Sequence, residues 1–217
     1  MVKQNFDKSA PAGPRGRRAV QAEQTRVEIL GAARRQFAVN GYAATSVKEI
    51  AAEAGVSVQT VYDSVGSKAD LVRRLNDLID VEANVGEIAM TIPTTADPVA
   101  LARVPAMITR RIVERCGDIL RSCHDGARAD PDLATVLDEG GRRHRAGAHA
   151  IAQRLHALGA LASGLTTDDA TVTIATLTDH RVAVVLLDDH GYTLDAVEDW
   201  MATTIVHAVL QPNPPST

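Results

Sequence analysis

The chain has 217 residues, 45% hydrophobic and 23% charged, the composition of a folded globular protein with room for one large domain or two unequal ones. The net charge of −4 hides a split: residues 1–74 carry twelve Lys or Arg and seven Asp or Glu, a net +5, and the remainder a net −9. The N-terminus shows no export pattern and no apolar run approaches the roughly 18 residues of a membrane span, so a cytoplasmic protein with no membrane partner is expected.

Residues 1–20, ending PRGRRAV, read as a disordered basic arm. Arg15, Arg17 and Arg18 can track phosphates or enter a minor groove there, or simply belong to a solvated tail. A helix follows from about 22 to 39, with Ile29, Ala33 and Phe37 on one face, and Asn40-Gly41 ends it. Ser46 with Glu49 is a capping box for a second helix whose buried face is Val47, Ile50, Ala51 and Ala54. Gly55 suits the turn that ends it. Ser57 caps a short third helix with Val58 and Val61 on its apolar side. Ser67, with Asp70 three residues on, caps a fourth, which Leu71, Leu75, Leu78 and Ile79 carry to about residue 89. Two helices joined by a tight glycine turn and crossing at the small Ala51 make a helix-turn-helix. The second is short because only one or two turns have to enter a major groove.

The body shows no strand signal, so the chain is expected to be all-α. TIPTTADP (91–98) reads as a linker. Helices are expected at about 98–115, kinked or broken at Pro105, and at about 116–127. Asp130-Pro131 starts a long one to about 158, striped by Leu133, Leu137, Ala148, Ile151, Leu155 and Leu158. From Thr167 to about 188 the sequence is apolar nearly all round, the pattern of a helix buried on every side. His190-Gly191-Tyr192 breaks it. Val197, Trp200, Met201, Ile205 and Val209 mark the last helix, before a tail from Pro212.

Cys116 and Cys123 are seven apart, roughly 10 Å on one helix, too far to bridge. They read as small core residues, with a redox pair the lesser alternative. His124, His144, His149 and His156 lack tight ligand spacing, so no metal and no cofactor is expected. Phosphate-loop, GxSxG, HExxH and dinucleotide motifs are missing, so no catalytic residues are assigned.

The order AxxFAxxGYxxTSVxxIAxxAGVSxxTVYxxVxSKxxL over roughly residues 25–75 resembles the DNA-binding domain of the TetR family of bacterial transcriptional regulators. The C-terminal GYTLDAVEDW and the long helix before it resemble the family more weakly. Ser64 and Val65 depart from it, standing where the family usually shows Tyr or His and then Phe. The resemblance implies an all-α chain with a three-helix helix-turn-helix domain over 21–66 and a helical ligand-binding and dimerisation domain over 67–217. The function implied is that of a repressor released from a palindromic double-stranded DNA operator by a small-molecule effector. Thr45 and Lys48 would contact the DNA backbone. Gln59 and Thr60, with Val58 beside them, would face base edges, and Tyr62 and Lys68 would bind phosphates. Asp63 would repel phosphate unless it accepts from cytosine or points away, and it is expected to point away. Val182, Leu186, Val197, Trp200, Met201 and Ile205 would form a homodimer interface. Met107, Arg111, His144, Asp179 and His180 would line an effector pocket, or satisfy one another in the core. With no aromatic residue between 63 and 191, an aliphatic effector suits better than a flat cation. Two other classes stand beside this one. The first is a helical enzyme that processes a small molecule with Arg111, His144, Asp179 and His180. The second is a sequence-independent DNA binder with a steep salt dependence.

Overall fold

The computed structural model of the protein describes residues 14–126 and 130–211. The described residues form α1 (Pro14–Ala44), α2 (Val47–Glu53), α3 (Val58–Ser64), α4 (Lys68–Glu82) and α5 (Val85–Thr91). A 3-10 turn (Ile92–Thr94) leads to α6 (Pro98–Gly126), α7 (Pro131–Ala157), α8 (Thr167–Leu177), α9 (His180–Asp188) and α10 (Leu194–Val209). The all-α expectation holds among these residues. The one strand-like feature is a lone antiparallel bridge between Leu161 and Leu210.

The first helix begins at Pro14, well before the apolar repeat, so the basic segment through Arg17 and Arg18 is helical rather than an arm. Proline favours a helix start because its missing N–H would have no partner there. Residues 1–13 lie outside the described residues. Gly41, at φ 75° and ψ 162°, interrupts the end of α1 where Asn40-Gly41 predicts a stop. The fourth helix ends at Glu82, earlier than expected, because Asn84 takes a left-handed conformation (φ 56°, ψ 37°) and starts α5. The linker expected at 91–98 is helical through Thr94.

Two helices expected over 98–127 are one, 29 residues and about 43 Å long, running through Pro105. Leu101, Ala102, Val104 and Ala106 are buried around the proline, so packing on both sides holds the helix together against its local weakness. The opposite correction applies to 167–188. Thr178 turns its hydroxyl back to the Ile174 carbonyl (2.7 Å). Asp179 goes extended and accepts from the Arg181 N–H (2.9 Å), capping a new helix, α9. The segment is not buried on every side either, since Val172 and Val185 are exposed. By length and composition it could cross a membrane, with a mean hydropathy of 1.3 over 18 residues, contrary to the reading that no apolar run comes near a span. In the fold it is two helices, α8 against α7 and α10, and α9 against α6 and α10.

Among the described residues three apolar cores result. The first joins α1–α4 to Cys116 and Ile119 of α6 and to Leu133 and Val136 of α7, so it continues past residue 66. The second lies among α5, α6, α7, α8 and α10. The third lies among α6, α9 and α10. Helix α6 contributes to all three.

Candidate nucleic-acid interface

The helix-turn-helix is set by local hydrogen bonds. Gly55, at φ 69°, donates to the Ala52 carbonyl (3.3 Å), and Val56 donates to Ala51 (3.0 Å). This pair closes the last turn of α2 and turns the chain toward α3. At the start of α2, Glu49 accepts from the Ser46 N–H (2.8 Å) while Ser46 Oγ accepts from the Glu49 N–H (3.3 Å). Ser57 Oγ accepts from the Thr60 N–H (3.0 Å) at the start of α3. Ile50, Ala51, Val61 and Val65 anchor both helices in the first core. Val65 is small for that role but fully engaged, 5% exposed.

The outward side of α3 carries Val58, Gln59, Tyr62 and Asp63, with Tyr62 49% exposed. Val58 is exposed, so only Val61 of the two valines forms the buried side. The Thr60 hydroxyl lies 2.8 Å from Ser57 Oγ, tied into the cap. Gln59 Nε2 donates to Asp63 Oδ1 (2.8 Å), so Asp63 shares the face of Gln59 rather than pointing away from it. Lys48, Arg17 and Arg18 are exposed. Two expected backbone contacts are placed differently. Thr45 is buried, its hydroxyl donating to the Gly41 (2.8 Å) and Gln36 (3.2 Å) carbonyls, which a residue one turn beyond a helix break can reach. Lys68 turns inward, donating through Nζ to the carbonyls of Tyr42 (2.7 Å) and Thr45 (2.8 Å), 4.1 Å above the Tyr42 ring. Burial lowers its pKa from the ordinary lysine value, with Asp130 pulling weakly the other way. The Tyr42 hydroxyl in turn donates to Asp130, which caps α7 through Asp132 and Leu133. Lys68, Tyr42 and Asp130 thus clasp the end of α1, where the chain enters α2, to the starts of α4 and α7.

A second joint went unseen in the sequence. Arg34 of α1 donates bidentately to Asp118 of α6 (2.7 and 3.0 Å), to Glu82 at the end of α4 (3.1 and 3.0 Å), and to the Arg115 carbonyl. Asp118 first, then Glu82, raises the Arg34 pKa. Burial opposes the charge of Asp118, but Arg34 outweighs it and the carboxyl lies below its usual range. Beside this joint, burial and then Glu82 push the Cys116 thiol up to about 12, so it stays protonated and inert. The side chains of Cys123 and His124 lie outside the described residues. Among the described residues no group of three or more His, Cys, Asp or Glu lies where it could hold a metal ion.

In the body, the structure brings several expected pocket residues to the α8–α9 break. His144 Nε2 lies 3.0 Å from Thr178 Oγ1, and Thr109 of α6 donates to the Thr178 carbonyl (2.9 Å). Asp179 pairs with Arg181 (2.5 Å) and lies 3.6 Å from His180 Nδ1. Met107 and Arg111 are half-buried on α6, Met107 against the second core. Thr109, a buried hydroxyl on an apolar helix face, is the member sequence reading missed. The expected interface divides. Leu186, Val197, Met201 and Ile205 are buried in the chain's own cores, because the 197–201–205 stripe of α10 faces inward. Val182 is half-buried, and Trp200 stands 37% exposed.

Residues 29–75 match the family model described as bacterial regulatory proteins, tetR family. The HTH-type transcriptional regulator AcrR of Shigella flexneri is 34% identical over 85 residues, 38% of this chain and 39% of that protein, so the match spans about two-fifths of the relative. Among solved structures, native NalD, the secondary repressor of the MexAB-OprM multidrug efflux pump in Pseudomonas aeruginosa, superposes with a TM-score of 0.70 at 20% identity. That match covers 87% of this chain and 98% of that one. FadR of Bacillus subtilis in complex with stearoyl-CoA gives 0.69 at 19% identity, covering 83% and 97%. Identities this low carry the fold alone.

Proposed function

We infer that this chain, a TetR-family protein by its matched N-terminal segment and its fold throughout, is a sequence-specific DNA-binding transcriptional repressor released by a small-molecule effector. The observation that carries this reading is α3. It is a two-turn helix fixed by the Gly55 turn and the Ser57 cap, with Gln59, Tyr62 and Asp63 outward on a basic head. Gln59 and Val58 read base edges. Lys48, Tyr62, Arg17 and Arg18 meet phosphates, and Lys68 and Thr45 hold the frame that presents them. Two copies, joined through α8–α10 with Val182 and Trp200 at the seam, would set two α3 helices roughly one DNA turn, about 34 Å, apart on a palindromic operator. The effector enters among Met107, Arg111, His144, Asp179 and His180, competing with the hydrogen bonds that His144 makes to Thr178 and Asp179 makes to Arg181. Its binding shifts α6, and the Arg34 and Lys68 joints carry that shift to the head. The protein acts in the cytoplasm, without a cofactor and without catalysis.

Footprinting of purified protein on the DNA flanking its own gene, across a salt series, tests this. A protected palindrome is expected. Uniform weak binding with a steep salt slope, here and in a genome-wide binding selection, would replace the reading with a sequence-independent binder.

A further inference from the structure

The carboxylates of the head mostly serve structure. Glu23 pairs with Arg26, Glu53 with Arg35, and Glu49 and Asp70 close capping boxes. Glu28 accepts from Gln24 on α1, and Asp63 accepts from Gln59, one turn earlier on the same exposed face of the short α3. A negative charge there repels phosphate, so its value lies elsewhere. The hydrogen bond fixes the Gln59 amide, with Nε2 toward Asp63. Gln59 Oε1 and the second N–H remain for a base edge, the pair of groups that matches adenine N6 and N7. Asp63 can only accept. In the major groove cytosine N4 and adenine N6 donate, adenine with its N7 acceptor beside that donor, whereas guanine O6 and N7 and thymine O4 only accept and would face the carboxylate acceptor to acceptor.

We propose that Asp63 is a specificity-determining residue of the reading helix: it admits cytosine at one operator position, rejects guanine and thymine there, and holds Gln59 toward a neighbouring adenine. This rests on the DNA-reading function above. It assigns the acidic residue two effects, selection at one position and weakening of every other sequence.

The test is a binding selection from a randomised duplex library at fixed salt, using the full-length protein, Asp63→Ala, Asp63→Asn and Gln59→Ala. Wild type is expected to enrich a half-site with cytosine at one position and adenine beside it. Asp63→Ala should flatten the cytosine position by about tenfold or more, weaken the adenine preference beside it, keep the rest of the motif, and bind non-specific DNA more tightly. Asp63→Asn, which adds a donor and keeps an acceptor, should move that position from cytosine toward adenine and relax the rejection of guanine and thymine. Gln59→Ala should flatten the adenine position alone. Unchanged thermal unfolding of the exposed-site variants separates these effects from misfolding. A motif shared unchanged by wild type and Asp63→Ala overturns the proposal and leaves the function standing. Recovery of no motif by wild type overturns both.

Discussion

At Gly66 the backbone takes φ 111°, and an added Cβ would lie 2.5 Å from Asp70 Oδ2, the carboxylate that closes the α4 cap. Gly66→Ala therefore combines a left-handed penalty with damage to a cap, and a loss of about 2 kcal/mol or more is expected by denaturant unfolding. A loss below about 0.5 kcal/mol would mean that α4 recaps without strain. Gly55 has open space around its missing Cβ, so Gly55→Ala meets the conformational cost alone, about 1–2 kcal/mol. Lys68→Ala should lower the unfolding temperature and leave the slope of binding against salt nearly unchanged, because its ammonium holds two carbonyls rather than a phosphate. A slope lower by about one unit would return it to the DNA contacts. The caps at Ser46, Ser57 and Ser67 were legible because each partner lies three residues away. Lys68 was not, because its partners lie 23 and 26 residues back, joined to it only by the fold. The Gln59–Asp63 hydrogen bond is a local i,i+4 contact on the exposed side of α3, and a reading that weighs only the repulsion between Asp63 and phosphate passes over it.

At the scale of elements, the Arg34 joint and the α8–α9 break decide how helices sit on one another. Arg34→Ala strips two carboxylates of their shared partner. Their side chains keep about a third of their exposure, 36% for Glu82 and 35% for Asp118, so solvent screening holds the expected loss to about 1–2 kcal/mol. Acid should act on the same places. Asp118 lies below its ordinary 3.8, and Asp179, despite burial, is lowered to about 2 by Arg181, the Arg181 N–H and His180. A depressed carboxylate stabilises the fold above its unfolded value and loses that contribution as pH falls through the folded one. Denaturant midpoints are thus expected to fall between about pH 4 and pH 2, less so in Asp179→Asn. His144 is depressed below 6.5 chiefly by burial, against Asp179 and with Arg145 and Arg181. Its neutral form stabilises the fold above pH 6.5, and that contribution erodes below it, a decline His144→Gln should flatten. The break itself was hidden in the sequence, because Thr178 and Asp179 lie in an apolar run that a continuous helix fits equally well. What ends the helix is a threonine bonding back to its own turn and an aspartate free to cap the next.

For the whole molecule, the decisive question is association. Trp200 is the single tryptophan, part exposed on α10 beside the Asp199–Arg103 pair. Its emission should shift to the red on dilution through the range in which the proposed dimer dissociates, together with the change in sedimentation mass. A concentration-independent spectrum with a falling mass would place the seam elsewhere. The all-α class and the helix-turn-helix were readable because both depend on periodicity and caps. The sharing of the first core with α6 and α7 was not, because nothing in the sequence announces that Ile119 and Leu133 join the cluster of Phe37 and Leu71. Pro105 likewise argued for two helices where burial made one.

That single long helix also limits how the molecule can be modified. A reading head cut out at residue 66 and grafted onto another regulator would arrive without the parts of α4, α6 and α7 that roof its core. Chimeras that alter operator choice should exchange the surface of α3 alone, or carry the roof along with the head.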